Sequence, residues 1–163
     1  MIIIVEGPDG GGKSYLAQLI SDETGFPVLH SGGFKEDIRV RTERYLSMSN
    51  TTFDRFPIIS ENVYGPILRG KSLLPWEEYF PRLQQVDYLL VYCRTDIWTL
   101  EKTKQEAKKH KPQSFIDRIM KELLAITKRY DELMEYLKPI RFDRREQSCA
   151  ELIWQLEKKM STR

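Results

Sequence analysis

The sequence predicts an α/β fold of three layers, in which a five-stranded parallel β-sheet is flanked by helices. Short apolar runs rich in β-branched residues alternate along the chain with longer segments of helical periodicity. This alternation is typical of parallel strands joined by helical crossovers. The 163 residues, of which 40% are hydrophobic, suffice for one compact domain with a sizeable core and are few for two. We therefore treat residues 1–163 as a single domain.

Five segments carry the pattern of a strand. Residues 2–5 (IIIV) form an unbroken β-branched run, which is typical of a strand buried on both faces of a parallel sheet. Residues 86–93 (VDYLLVYC) give a second strongly apolar segment of strand length. The remaining candidates are shorter and lie at 27–30 (PVLH), 51–53 (TTF, closing on Asp54) and 139–143 (PIRFD).

Helices are predicted in three of the four intervals between these strands and after the last strand. Residues 13–24 follow a glycine-rich segment directly, and this helix is expected to end near Gly25. Residues 36–48 are polar and helical in pattern, and over 115–137 apolar residues recur at steps of three and four. Ser148 followed by Glu151 is a capping-box signature, which opens a last helix with its own apolar stripe.

Composition and charge argue against several classes of function. The net charge is only +2, so we expect no nucleic-acid partner. No run approaches the roughly 20 apolar residues that a membrane span requires, and we expect no membrane partner. The two cysteines, Cys93 and Cys149, lie outside the spacings of disulfide frameworks and zinc sites. This usage predicts a reducing, cytoplasmic location.

Residues 7–14 (GPDGGGKS) match the phosphate-loop motif G-x-x-x-x-G-K-[ST] at every fixed position. They lie between a predicted strand and a predicted helix, which is the context that the motif requires. Glycines allow the backbone to curl, so that N–H groups and the helix N-terminus surround a phosphate. Lys13 then bridges the outer phosphates, and the Ser14 hydroxyl can ligate Mg²⁺. The motif predicts a P-loop NTPase fold with ATP and Mg²⁺ as cofactors. The predicted nucleotide-binding residues are Gly7, Asp9, Gly10, Gly11, Gly12, Lys13, Ser14 and Tyr15.

The same stretch, extended to VEGPDGGGKS, resembles the phosphate loop of thymidylate kinases and related deoxynucleotide kinases, E-G-x-[DE]-x-x-G-K-[ST]. A second stretch, FDRFPIISENVYG, resembles the D-R-[YFH]-x-x-S segment of that family. The resemblance implies that Asp9 contacts the sugar 3′-hydroxyl of the acceptor nucleotide and that Arg55 binds its phosphate. It also implies that Asp54 lies near Mg²⁺ or its waters, and that Ser60 and Tyr64 lie in the acceptor pocket.

A lysine-rich stretch, EKTKQEAKKHK at 101–111, lies where the family carries a basic lid over the donor phosphates. We mark 101–114 as the lid candidate, with a solvated helix face as the alternative interpretation. The family's lid often uses arginines, which neutralise spread charge better than lysines do. Arg94 and Arg118 flank the segment, and Arg94 is counted among the catalytic candidates.

The segment after the predicted second strand departs from the family pattern. Thymidylate kinases often carry R-E-P-G-G-T there, whereas this chain has LHSGGF. For the base we expect an aromatic plane and a hydrogen-bond donor. His30 is assigned no catalytic role, and the three tryptophans are assigned to packing. The candidates for the base are Phe34, Tyr45, Phe56 and Tyr64 for the plane and Arg44 for the donor.

The resemblance therefore predicts an ATP- and Mg²⁺-dependent kinase of the thymidylate kinase type. Its acceptor is a deoxynucleoside 5′-monophosphate, dTMP or a related pyrimidine deoxynucleotide, which it converts to the diphosphate. Arg55 favours an acceptor with a phosphate, because a nucleoside would leave its guanidinium without a charge partner. The partners are ATP and the monophosphate, and association into a homodimer is left open. The predicted catalytic residues are Lys13, Asp54, Arg55 and Arg94, and the predicted metal ligands are Ser14 and Asp54.

Three alternatives remain. A deoxynucleoside kinase would phosphorylate the 5′-hydroxyl of a nucleoside and needs a general base, for which Glu6 and Asp54 are the candidates. A non-enzymatic P-loop nucleotide-binding protein would use the same loop without transfer. A kinase that acts on a base or an end within DNA is disfavoured by the modest net charge.

Overall fold

Strands and helices alternate along the chain in the computed structural model, which describes residues 1–31, 36–94, 113–143 and 145–162. Every predicted strand and helix is present, with small shifts at the ends. The strands are β1 (Ile2–Glu6), β2 (Val28–His30), β3 (Thr51–Asp54), β4 (Tyr88–Cys93) and β5 (Ile140–Phe142). The helices are α1 (Lys13–Thr24), α2 (Ile38–Leu46), α3 (Pro57–Arg69), α4 (Trp76–Leu83), α5 (Gln113–Leu137) and α6 (Cys149–Ser161).

One five-stranded sheet forms the middle layer. Its strand order is β2-β3-β1-β4-β5, and all neighbouring strands run parallel. β1 lies at the centre, where Ile4 is opposite Phe53 of β3 and Leu90 of β4. All five residues of β1 are buried, as expected for a strand that is covered on both faces. The predicted α/β fold, with a parallel sheet between helices, is confirmed.

Alternate residues of β1 supply two hydrophobic cores, because successive side chains of a strand point to opposite faces. Ile2 and Ile4 belong to a core that includes buried residues of α2 to α5. Ile3 and Val5 belong to the other core, which includes buried residues of α1 and α6. Each fully buried aliphatic side chain contributes about 1.5–3 kcal/mol. β1 therefore anchors both helical layers.

Local signals fix several helix ends as predicted. Gly25 adopts a left-handed φ of 72° after α1, and its N–H donates to the carbonyl oxygen of Ser21. Ser148 and Glu151 form both hydrogen bonds of a capping box at the start of α6. These ends depend on a few neighbouring residues, which is why the sequence predicts them well.

Two helices, α3 and α4, are not predicted from the sequence. α3 begins at Pro57, which suits the first helical position. Its interior contains Gly65 and Pro66, two residues that argue against a helix. Pro81 has the same effect on the prediction of α4. Tertiary burial overrides these local preferences, since one face of α3 lies in the core.

The assignment of the tryptophans to packing is correct for Trp76 and wrong for Trp154, and Trp98 lies outside the described residues. Trp76 stacks on Phe80, with ring centroids 4.3 Å apart. Trp154 is 60% exposed on α6, with the Lys158 ammonium 5.1 Å from its ring centroid. The buried stripe of α6 contains Leu152, and a residue two positions further lies about 200° around the helix.

Two expectations drawn from composition concern membranes and cysteines. No helix in the described parts of the chain combines the length and apolarity of a membrane span. Both cysteines are free, with Cys93 buried and Cys149 partly buried. Burial raises the pKa of the Cys93 thiol to about 12, so that this side chain remains a protonated thiol at neutral pH.

The chain leaves β1 through a close contact with β4. Gly7 has a φ of 147°, and a Cβ atom at this position would overlap the carbonyl oxygen of Cys93. Glycine alone combines this backbone angle with so close an approach. The contact therefore fixes the point at which the glycine-rich loop begins.

We expect Gly7→Ala to lower the free energy of unfolding by about 3 kcal/mol or more, because two strand backbones must separate to admit the methyl group. Gly25→Ala is the matched control. Gly25 also has a positive φ, but a Cβ there would meet nothing within 4 Å, so that only a backbone cost of about 1–2 kcal/mol is expected. Urea denaturation of both variants measures the difference. Equal losses would contradict the steric role of Gly7.

Candidate active site

The loop at 7–14 and the carboxyl ends of β2 and β3 surround a cavity of about 400 Å³. Parallel α/β folds bind their ligands at this edge of the sheet. Six lining residues come from the loop and the start of α1, and four come from the strand ends. His30 is the last residue of β2 and Ser31 follows it, and Asp54 is the last residue of β3 and Arg55 follows it. Only His30 and Ser31 are absent from the predicted site residues.

The loop backbone directs N–H groups toward a ligand. Gly10 and Gly12 have φ values of 83° and 82°, in the region that glycine tolerates. No side chain caps the start of α1 at Gly12. The N–H groups of the first turn thus remain available to an anion, and the helix dipole favours negative charge there. The N–H of Gly11 donates to the carbonyl oxygen of Pro8 at 3.3 Å, which closes the loop on itself.

Lys13 is the first residue of α1, and its side chain turns back across the loop. Its Nζ donates to the carbonyl oxygen of Pro8 at 2.7 Å, and the residue is only 6% exposed. Burial and the nearby Arg55 guanidinium lower the pKa of Lys13 to about 8, although Asp9 acts in the opposite direction. A phosphate in the loop would supply the negative charge that stabilises this ammonium.

Ser14, Asp54 and His30 form a hydrogen-bonded group in the cavity. Ser14 Oγ donates to Asp54 Oδ2 at 2.6 Å, and His30 Nδ1 lies 2.9 Å from the same oxygen. A hydroxyl and a carboxylate are hard oxygen ligands of the kind that Mg²⁺ prefers. The described residues contain no group of three or more His, Cys, Asp and Glu side chains able to hold a metal ion. The arrangement fits Mg²⁺ held by one or two protein oxygens together with nucleotide phosphates.

Asp9, Arg55 and Tyr64 form a second hydrogen-bonded group. Arg55 Nη2 donates to Asp9 Oδ1 at 2.5 Å and to the Tyr64 hydroxyl at 2.9 Å. The Tyr64 hydroxyl donates to Asp9 Oδ2 at 3.1 Å, and its ring centroid lies 4.8 Å from the guanidinium. Burial acts to raise the pKa of Asp9, but the charges of Arg55 and Lys13 outweigh it and lower this pKa. Arg55 is therefore ion-paired within the protein.

The direction of Arg55 depends on unusual backbone geometry at the end of β3. Its φ is 73°, and this left-handed conformation costs a non-glycine residue about 1–2 kcal/mol. The N–H of Arg55 donates to the carbonyl oxygen of Val5 at 3.0 Å, and the next N–H, of Phe56, donates to Glu6 Oε1 at 2.6 Å. Tyr130 of α5 donates its hydroxyl to Glu6 Oε2 at 2.8 Å. Two hydrogen bonds to β1 thus hold the turn that directs Arg55.

Four other predicted residues take part in neither group. Tyr15 lines the cavity from the first turn of α1 and is 69% exposed. Ser60 donates its hydroxyl to a backbone carbonyl one turn earlier in α3, at 3.0 Å. Arg94 follows β4 and is exposed, and its backbone N–H donates to a carbonyl of β5. The Arg44 guanidinium donates to Glu36 at 2.8 Å. The binding roles of these four residues stay predictions.

Two of the aromatic residues offered as a plane for the base lie in the hydrophobic core. Tyr45 and Phe56 are fully buried, and both pack against Phe53 in a cluster of three rings. Their assignment to the base is therefore wrong, because their rings fill the space between β3 and the helices. Phe34 and residues 101–112 of the lid candidate lie outside the described residues, and its last two residues, 113 and 114, belong to α5.

The two general-base candidates differ in accessibility. Glu6 is wrong for this role, because it is fully buried and both of its oxygens accept hydrogen bonds from inside the protein. Asp54 lines the cavity, and its side chain is 10% exposed. His30, for which no catalytic role is predicted, contacts Asp54. The signal that identifies it is strand register, since His30 lies opposite Asp54 in the pairing of β2 with β3.

Stability should depend on pH through Glu6. Burial raises the pKa of Glu6 from 4.5 to about 7, against the lowering effects of the Phe56 N–H, Arg55, Tyr130 and Lys13. The pKa of Glu6 is higher in the folded state than in the unfolded state. The stability that Glu6 contributes is therefore fully present below about pH 4.5 and is lost as the pH rises through about 7. We therefore expect the wild type to become less stable relative to Glu6→Gln between about pH 4.5 and 7, by a few kcal/mol at about 1.4 kcal/mol per pKa unit.

Urea denaturation of both proteins across this pH range measures the change. The difference between them cancels the titration of groups that both proteins share. A difference that does not vary with pH would contradict the raised pKa of Glu6.

Solved structures share the fold of this chain, although no protein-family model and no curated protein matches its sequence. The YorR protein of Bacillus subtilis, in complex with phosphorylated GDP, gives a TM-score of 0.74 at 20% identity, over 99% of this chain and 96% of that one. Deoxyadenosine kinase of M. mycoides with bound dATP gives 0.59 at 16% identity, over 99% and 100% of the two chains. The same enzyme with dCMP and dCDP gives 0.56 at 17% identity, over 99% of each chain. This chain therefore has the fold of these proteins, which is the P-loop NTPase fold that its sequence predicts.

Proposed function

We propose that the chain is a Mg²⁺-dependent kinase of the thymidylate kinase type, which transfers the γ-phosphoryl group of ATP to a deoxynucleoside 5′-monophosphate. One observation carries the proposal. The phosphate loop with Lys13 lines the same cavity of about 400 Å³ as Arg55. Two phosphate-binding elements that face one space can align a donor phosphate with an acceptor phosphate.

Each group has a role in the proposed transfer. The loop N–H groups and Lys13 bind the outer phosphates of ATP. Ser14 and Asp54 would hold Mg²⁺, which neutralises phosphate charge when it is bound. Arg55 binds the acceptor phosphate and Asp9 the sugar hydroxyl, as the family resemblance implies. Phosphoryl transfer needs alignment and charge neutralisation more than covalent help, so that no protein nucleophile is required.

The ion pair between Asp9 and Arg55 weakens the preference of Arg55 for an acceptor that carries a phosphate. Asp9 Oδ1 lies 2.5 Å from Arg55 Nη2. The expectation that a nucleoside would leave Arg55 without a charge partner is therefore wrong. An acceptor phosphate has to share the guanidinium with Asp9 or displace Asp9 from it. Its gain in binding is smaller than that of a phosphate that meets an unpaired arginine.

The same observation favours a second candidate, a deoxynucleoside kinase that phosphorylates a 5′-hydroxyl. A hydroxyl acceptor is uncharged and needs a general base. Asp54 is the carboxylate candidate that lines the cavity, and Ser14 and His30 hold its orientation. Deoxyadenosine kinase, which shares the fold, shows that this architecture serves nucleoside kinases.

The preference for a pyrimidine base comes from the family resemblance. Of the aromatic residues offered for the base, Tyr64 lies in the site, with its ring against Arg55. The YorR structure holds phosphorylated GDP, so that purine acceptors belong in any test. dTMP or a related pyrimidine deoxynucleotide is the proposed acceptor.

A product assay with ATP and Mg²⁺ decides the acceptor. We expect a higher kcat/KM for dTMP than for thymidine, because Arg55 adds a charge-assisted contact to the phosphate. The panel also includes dUMP, dCMP, dAMP, dGMP and the matching nucleosides. Faster turnover of a nucleoside than of its monophosphate would contradict the proposal and support the second candidate. If a purine monophosphate gives the highest kcat/KM, only the proposed preference for a pyrimidine base is contradicted. Nucleotide binding without any product would support a non-enzymatic protein.

We expect Lys13→Met to lower kcat by about 10²-fold or more, because it removes a cation that stabilises charge in the transition state. The fold should be at least as stable as in the wild type. Lys13 is a buried ammonium whose pKa is lowered to about 8, and methionine fills the same space without charge. Lys71→Met, at an exposed position, is the matched control. Full activity of folded Lys13→Met would contradict the role of the loop.

A further inference from the structure

We propose that Glu6 and Tyr130 are positioning residues that direct Arg55 into the site. They would thereby connect helix α5 to the binding of the acceptor. This inference rests on the proposed function for the identity of the ligand of Arg55, whereas the contacts that carry it belong to the protein alone. Neither residue touches the cavity, and both are fully buried.

The first step concerns the backbone of the turn after β3. Arg55 has a left-handed φ of 73°, which persists only where surrounding contacts support it. Phe56 is the N-cap of α3, and its N–H has no partner inside that helix. Glu6 Oε1 accepts this N–H at 2.6 Å. Without the carboxylate, a buried N–H would lack a partner, and the turn would be free to relax and redirect the Arg55 side chain.

The second step concerns the carboxylate itself. Glu6 Oε2 accepts the hydroxyl of Tyr130 at 2.8 Å. Burial and the charge of Glu6 raise the pKa of Tyr130, so that its hydroxyl remains a donor. The bond to Tyr130 fixes the rotation of the carboxylate, and this rotation decides whether Oε1 faces Phe56. Tyr130 therefore acts on Arg55 through Glu6.

The third step concerns the side chain of Arg55. The rings of Tyr64 and Tyr130 pack edge to face, with centroids 6.0 Å apart. Tyr64 in turn lies against the Arg55 guanidinium and bonds to Asp9. Tyr130 thus supports Arg55 on two sides, through Glu6 at the backbone and through Tyr64 at the guanidinium. It extends from α5, which begins at Gln113, at the end of the lid candidate.

Tyr130→Phe tests the inference, because it removes the hydroxyl and keeps the ring. We expect the KM for dTMP, or for the best acceptor of the panel, to rise about three- to ten-fold, as for one lost hydrogen bond. The KM for ATP should stay within about two-fold. Tyr92→Phe is the matched control, since Tyr92 is buried, stacks on Tyr130 and donates its hydroxyl to Asp131 of α5 at 2.8 Å. Equal effects of the two variants would overturn the inference.

A second pair of variants, at Glu6, separates the effect of side-chain length from the effect of charge. Glu6→Asp keeps the charge but shortens the side chain, so that it cannot bridge Phe56 and Tyr130. Glu6→Gln keeps the length, its oxygen can accept from Phe56, and its amide can donate to the Tyr130 hydroxyl oxygen. We expect Glu6→Asp to raise the acceptor KM as Tyr130→Phe does, and Glu6→Gln to change it less than about two-fold. The reverse order would overturn the inference, and this pair decides it if Tyr130→Phe fails to fold.

A double-mutant cycle shows whether Tyr130 acts through Arg55. In an Arg55→Ala background, Tyr130→Phe should cause no further rise in the acceptor KM. An undiminished rise in that background would show a route that avoids Arg55 and would overturn the inference.

A readout that needs no activity separates this inference from the proposed function. Phenylglyoxal modifies arginine side chains, and peptide mass spectrometry gives the rate at Arg55. We expect this rate to increase at least about three-fold in Tyr130→Phe and to stay unchanged in Tyr92→Phe. If the wild type transfers phosphate to no acceptor, the proposed function fails while this rate still decides the inference. Equal rates in the two variants would overturn it.

Discussion

The end of the central strand determines the geometry of the site, because three consecutive residues there each fix a different part of it. The carbonyl of Val5 accepts the N–H of Arg55, and the side chain of Glu6 accepts the N–H of Phe56. Gly7 packs so closely on β4 that no side chain fits there. The strand is held on both faces by the two cores. The loop and the turn after β3 therefore keep one relative position.

Burial of charge is the second constraint on the site. Burial lowers the pKa of Lys13 to about 8 and raises that of Glu6 to about 7, because it penalises charge of either sign. Asp9 escapes this trend because it lies between Arg55 and Lys13. A phosphate ligand adds negative charge beside Lys13 and so favours the ammonium. The Lys13 ammonium is therefore most stable when an anion is bound beside it, which is the electrostatic requirement for a phosphate site.

The parts of the molecule whose structure depends on residues close together in the sequence could be predicted from it. The phosphate loop is defined within residues 7–14, and the β-branched run at 2–5 identifies the central strand. The capping box at α6 is equally local. α3 could not be predicted, because its Gly65 and Pro66 argue against a helix and only tertiary burial overrides them.

The contacts at the site that could not be predicted join segments that are far apart in the sequence. Tyr130 and Glu6 are 124 positions apart, and no local pattern joins them. His30 meets Asp54 because β2 pairs with β3 in one particular register. Once the strand order is known, a polar residue at the carboxyl end of β2 becomes a site candidate, since neighbouring parallel strands end at the same edge. The sequence shows His30 but does not show the pairing of β2 with β3, and only this pairing identifies His30 as a site candidate.

The ion pair between Asp9 and Arg55 leaves room for an acceptor phosphate. The hydrogen bonds of Arg55 to Asp9 and Tyr64 both use Nη2, whereas a guanidinium carries five N–H donors on three nitrogens. Both edges at which two N–H groups point the same way include Nη2, so that a phosphate can accept from Nη1 without displacing Asp9 but cannot form a bidentate pair unless it shares Nη2. The ion pair then holds the guanidinium in place for its ligand and reduces the conformational entropy lost on binding. A nucleoside would offer no anion to Nη1, which is why the monophosphate remains the first candidate although Arg55 is already paired.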